Sequence, residues 1–87
     1  MAKILLAEDE EVLRMLVVDT LEDEGHLIVE TSDGEEALKR IEEETFDLII
    51  LDYMMPILTG LEVIEKIKHM PERKNSKILM LSAKSQK

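Results

Sequence analysis

No cysteine occurs in the chain, which removes disulfides and thiolate metal sites and leaves any metal to oxygen and nitrogen donors. Aromatic residues are almost as scarce: Phe46, Tyr53 and no tryptophan. Bases stacked on aromatic side chains therefore have no platform. Basic residues are outnumbered, 11 against 20 acids, for a net charge of −9. Such a surface repels nucleic acid and anionic lipid, so neither is expected as a direct partner. No apolar run approaches the ~20 residues of a membrane helix or the roughly 7–15 of a signal-peptide core. A cytoplasmic address is the expectation.

What is present is a regular alternation of short apolar runs with longer stretches at helical spacing. The 87 residues suit one domain, and a chain of this size buries little more than ~60% of its unfolded surface. Residues 4–7 read as a strand, and 11–24 as a helix with Leu13, Leu16, Val17, Thr20 and Leu21 on one face. Gly25 supplies the helix stop. A second strand over 27–29 leads into Thr31-Ser32-Asp33-Gly34, where Ser32 with Glu35, or Asp33 with Glu36, has the spacing of a helix N-cap. The helix that follows spans 34–44 and packs through Ala37, Leu38 and Ile41.

A third strand over 47–51 is continuously apolar, as in a parallel sheet covered on both faces. Pro56 blocks an immediate helix. Thr59 and Glu62 repeat the capping spacing and open a helix over 60–70, packed through Leu61, Ile64 and Ile67 and ended by Pro71. The run 78–81 is a fourth strand. The order βαβαβαβ predicts a parallel sheet with right-handed crossovers, whose ligands lie beyond the carboxyl ends of the strands.

Those ends carry the chemistry. Asp52 terminates Leu48-Ile49-Ile50-Leu51, the acidic pair Glu8-Asp9 terminates Ile4-Leu5-Leu6-Ala7, and Ser82 follows the fourth strand. Taken singly, Asp52 reads as a turn residue and Glu8-Asp9 as first-turn acids complementing a helix dipole. Taken together, with Met55-Pro56 and Gly60 downstream, they suggest acids converging on a cation and a phosphate. His26 and His69 read as surface histidines, the methionines as gap-fillers, and Glu42-Glu43-Glu44 as a solvated, fraying helix end.

The segments Ile4–Glu10, Asp33–Leu38, Leu51-Asp52-Tyr53-Met54-Met55-Pro56 with Gly60, and Leu81-Ser82-Ala83, in that order, resemble the receiver domain of two-component response regulators over nearly the whole chain. The resemblance implies a flavodoxin-like (CheY-like) α/β fold of strand order 2-1-3-4, with an aspartate phosphorylated by a histidine kinase or phosphotransfer protein. It implies Asp52 as phosphoacceptor, with Glu8, Asp9, Asp52 and the backbone carbonyl of Met54 as Mg²⁺ ligands. It likewise implies Ser82 as the hydroxyl contacting the phosphoryl group. Hard oxygen donors of this kind suit Mg²⁺, and the resemblance makes the chain a signalling acceptor rather than a metabolic enzyme.

Receivers have five βα units, and this sequence stops after its fourth strand. It is therefore expected to be one incomplete receiver domain over 1–87, without the last strand, the last two helices and the strand-five lysine. Lys84 reads as a solvated loop lysine rather than its substitute. An open fourth-strand edge would favour homo-oligomers or a domain swap. The alternative function is a phosphorylation-independent assembly module or inactive fragment. An aspartyl phosphatase is disfavoured, because its general acid would fall at Met54.

Overall fold

The structure, a computed structural model, describes residues 1–70 and 76–81. Its elements are β1 (Lys3–Ala7), α1 (Glu11–Asp23), β2 (Leu27–Thr31), α2 (Gly34–Glu43), β3 (Leu48–Asp52), α3 (Gly60–Ile67) and β4 (Lys77–Leu81). The strands form one parallel sheet of order β2-β1-β3-β4, the order expected.

The two-residue alternation of strand side chains sorts β1 and β3 into two cores. Leu5, Ala7, Ile49 and Leu51 face α2 and α3 and join Ala37, Ile41, Phe46, Val63 and Ile67. Ile4, Leu6 and Ile50 face the other way and join Val18 of α1. Both faces of β3 are thus covered, which is why its sequence reads as an unbroken apolar run.

Local sequence sets the helix starts. Asp33 is the N-cap of α2, accepting the Glu36 N–H at 2.7 Å, while Glu36 Oε1 accepts the Ser32 N–H at 3.1 Å. Of the two capping pairs compatible with the sequence, Asp33 with Glu36 is the one formed. Thr59 and Glu62 make a reciprocal capping box at α3, with bonds of 3.2 and 2.8 Å. Helix α1 begins after Glu10 with no side-chain cap.

Two helix faces differ from expectation. On α1 the buried residue is Val18, whereas Leu16 is 60% exposed and Thr20 is exposed as well. A helical stripe shows which side is apolar but not how far the sheet beneath extends. Here Leu16, Val17, Thr20 and Leu21 border an open apolar cleft of about 320 Å³ floored by Ile50, Leu79 and Leu81. On α3, Val63 and Ile67 are buried and Leu61 is exposed. This helix ends at Ile67 rather than 70, because Lys68, His69 and Met70 tighten into a turn bonded to Ile64, Lys66 and Ile67. Pro71, expected to end the helix, lies outside the described residues.

Candidate functional site at the carboxyl ends of β1 and β3

In the sheet, β1 connects through α1 to β2 on one side, while β3 lies on its other side. A crevice opens beyond the strand ends where the connections diverge in this way. The register pairs Ala7 with Leu51, so Glu8 and Asp52, each one residue on, emerge side by side from strands that lie ~4.8 Å apart. Asp9 follows in the turn into α1. One carboxylate oxygen from each of Glu8, Asp9 and Asp52 lies within 4.8 Å of the others. Glu8 and Asp52 are 1% and 3% exposed, and Asp9 is open to solvent.

The chain holds Glu8 from several directions. Its N–H donates to the Thr31 carbonyl at 3.1 Å, its own carbonyl accepts from Arg14 Nη1 at 2.7 Å, and its Oε2 accepts the Glu10 N–H at 3.0 Å. Glu8 Oε1 is buried and has no hydrogen-bond partner among the described residues. Burial raises the pKa of this carboxyl above its ordinary value; the Glu10 N–H opposes the shift, and repulsion from Asp52 and Asp9 adds to it. An orphaned buried carboxylate oxygen facing two more acids is costly by itself. A hard divalent cation would remove that cost, so the donor set fits Mg²⁺.

The loop after Asp52 is shaped by two constraints. The Gly60 N–H bonds the Tyr53 carbonyl at 3.0 Å and closes the loop onto its own start. Within it, the Leu58 N–H reaches the Pro56 carbonyl at 2.7 Å around Ile57, whose φ is +72°. A three-residue turn with positive φ at its centre is the strained hand of the γ-turn, and Ile is a residue that φ region disfavours. Met54 stands in this loop, two residues beyond Asp52, with its side chain exposed. Ser82, the hydroxyl expected at the site, lies outside the described residues; Leu81 just before it pairs with Asp52.

Three residues contribute in ways that the sequence alone did not reveal. Arg14 was recognisable only as a base one helical turn after an acidic N-terminus. Thr31 is buried and donates its hydroxyl to the Leu6 carbonyl at 3.1 Å, a role only the register reveals. Gly34 lets the start of α2 press against the Leu58 backbone, where a Cβ would overlap the carbonyl.

A parallel α/β sheet with acids converging beyond β1 and β3 defines a receiver-type signalling domain of flavodoxin-like fold. Sequence comparison agrees: the family model of the response regulator receiver domain matches residues 4–87, and the chain belongs to that family. It is 44% identical over 84 residues to the alkaline phosphatase synthesis transcriptional regulatory protein PhoP of Bacillus subtilis, covering 97% of this chain and 34% of that protein. The chain thus spans about a third of the length of the curated relatives it matches. The chemotaxis response regulator CheY4 of Vibrio cholerae superposes with a TM-score of 0.93 at 36% identity, over 99% of this chain and 72% of that one. TrrA of Thermotoga maritima has been solved in complex with Mg(2+)-BeF (38% identity, TM-score 0.84, 97% of this chain and 73% of that one). It has also been solved in complex with the histidine kinase ThkA (41% identity, TM-score 0.86, 99% and 72%).

Proposed function

We propose that this chain is a phosphoacceptor receiver domain in which Asp52 takes a phosphoryl group from a histidine kinase or phosphotransfer protein. The observation that carries this reading is the convergence of Glu8, Asp9 and Asp52 within 4.8 Å around an orphaned, buried Glu8 oxygen. The Asp52 carboxylate attacks phosphorus, the donor imidazole departs, and an acyl phosphate is left on the aspartate. Strand β3 holds the nucleophile still, and Glu8, Asp9, Asp52 and the backbone carbonyl of Met54 would hold Mg²⁺. The cation would neutralise charge on the transferring group and its acceptor. The resemblance to receiver domains gives Ser82, which follows β4 in the sequence, the role of contacting a phosphoryl oxygen. The structures of TrrA with Mg(2+)-BeF and with ThkA support the cation and the kinase as partners.

On this reading the chain is a signalling acceptor, not a metabolic enzyme, acting in the cytoplasm, and residues 1–87 all belong to one receiver domain. Among the described residues no helix is long and apolar enough to cross a membrane. Intact mass after incubation with acetyl phosphate and Mg²⁺ tests the proposal. A labile addition of one phosphoryl group that Asp52→Asn abolishes is expected. No addition, in a sample shown to be folded, overturns it and leaves the assembly-module reading, which the exposed Leu79 on β4, outermost among the described strands, favours.

A further inference from the structure

Arg14 stands outside the acidic cluster, yet its guanidinium bonds the residue at the centre of it. Nη1 donates to the Glu8 carbonyl at 2.7 Å and Nε to Glu30 Oε1 at 3.3 Å. The Arg14 side chain is 18% exposed and Glu30 is 47% exposed. The Glu30 pair taken alone is a half-solvated ion pair of the kind that contributes little to stability. The bond to the carbonyl is different: it is short, charge-assisted and mostly shielded. It also falls on the peptide that joins Glu8 to Asp9.

That peptide sets the direction of both acids. The Glu8 N–H is fixed by Thr31 and the Glu8 carbonyl by Arg14, so the peptides before and after Glu8 are both pinned, the one leading to Asp9 by Arg14. Arg14 is itself anchored in the first turn of α1, its N–H bonded to the Glu10 carbonyl at 2.9 Å, and is aimed by Glu30 at the end of β2. We propose that Arg14 is a positioning residue that orients Glu8 and Asp9 for a divalent cation, with Glu30 orienting Arg14. This inference rests on the cation reading above.

Charge makes it decidable. Removing a cationic side chain from beside a cation site should, by Coulomb's law alone, tighten Mg²⁺ binding. Losing a positioning contact should weaken it, and partners behind metal ligands typically matter ~10–100-fold. The two roles therefore predict opposite signs.

The test is a Mg²⁺ titration of the 87-residue chain, Arg14→Ala, Arg14→Lys and Glu30→Gln. Tyr53, the only tyrosine in a chain without tryptophan, serves as the fluorescent probe beside Asp52. Thermal unfolding in EDTA runs in parallel. Weakening of about tenfold in Arg14→Ala, partly restored in Arg14→Lys, is expected, with a smaller loss in Glu30→Gln. Affinity within twofold of the parent, or tighter, in a folded Arg14→Ala overturns the inference and leaves the cation reading standing. A parent chain that binds no Mg²⁺ overturns both. Should Arg14→Ala not fold, Arg14→Lys decides, because it keeps the charge and alters only the contact: weaker binding than the parent supports the role, and parent affinity overturns it.

Discussion

Gly60 lies so close to Asp52 that a Cβ at position 60 would stand 2.5 Å from the Asp52 carbonyl oxygen and 2.9 Å from the Met80 sulfur. The methionine can yield, but the backbone of a central strand cannot. Gly60→Ala is therefore expected to destabilise the fold by about 1–3 kcal/mol, the usual range for overpacking, and to slow phosphorylation of Asp52 by shifting its carbonyl. Urea midpoints and intact-mass time courses check the two effects; a variant of parental stability would show that α3 can retreat without cost.

Ile57 predicts the opposite sign. It is 65% exposed, so little burial is at stake, and its φ of +72° is unfavourable for a β-branched residue. Ile57→Gly should stabilise the chain by roughly 0.5–1 kcal/mol, the relief of strain exceeding the added freedom of the unfolded chain. A lower melting temperature in this variant would locate a compensating contact at the Ile57 side chain.

Stability should depend on pH through Glu8. Burial raises the pKa of its carboxyl in the folded state, so the folded chain holds this proton more tightly than the unfolded chain. Its contribution is fully present below the ordinary glutamate value of 4.5 and is lost as pH rises through the folded value. Urea midpoints taken in EDTA as pH rises from 4.5 should carry this downward slope, Glu8→Gln should flatten it, and Mg²⁺ should reverse it.

Glu44 works in the other direction. Its hydrogen bond and ion pair with Lys3, at 2.7 Å, hold its pKa below the ordinary value. The stabilisation is present above 4.5 and disappears as pH falls through the folded value. Lys3→Met should shrink that acid-side loss, with Arg40, 3.0 Å from Glu44 Oε2, keeping a part of it, read as the difference between midpoints at neutral and acid pH.

Strand β4, outermost among the described strands, predicts self-association of the 87-residue chain. It pairs on one side only among the described residues, and Ile78 and Leu79 are 37% and 51% exposed. Strands of this kind pair with other chains unless a charge blocks them. Leu79→Lys should lower the sedimentation coefficient toward that of a monomer. A compact parent monomer at micromolar concentration would contradict the expectation.

Much of this was legible in the residues, for identifiable reasons. The runs ending at Ala7 and Leu51 are apolar because both faces of their strands are covered, and that pattern fixed the parallel sheet and brought Glu8 and Asp52 to one end. Thr59 with Glu62 is a local signal, and it formed as read. The faces of α1 and α3 were harder to read, because periodicity reports amphipathicity while burial depends on the neighbours in place; Leu16 and Leu61 illustrate the gap. Arg14, Thr31 and Gly34 were missed because their partners Glu8, Leu6 and Leu58 are brought to them by helix geometry or strand register rather than by any motif. Ser82 and Lys84 lie outside the described residues.

The pairing of Ala7 with Leu51 has one more consequence. Because side chains alternate, a slip of β3 by a single residue against β1 would swap Ile50 with Ile49 and Leu51 between the two cores while carrying Asp52 away from Glu8. The apolar sorting that selects the fold thereby proofreads the acid alignment. A chain misregistered by one residue would lose its packing and its acid cluster in one step.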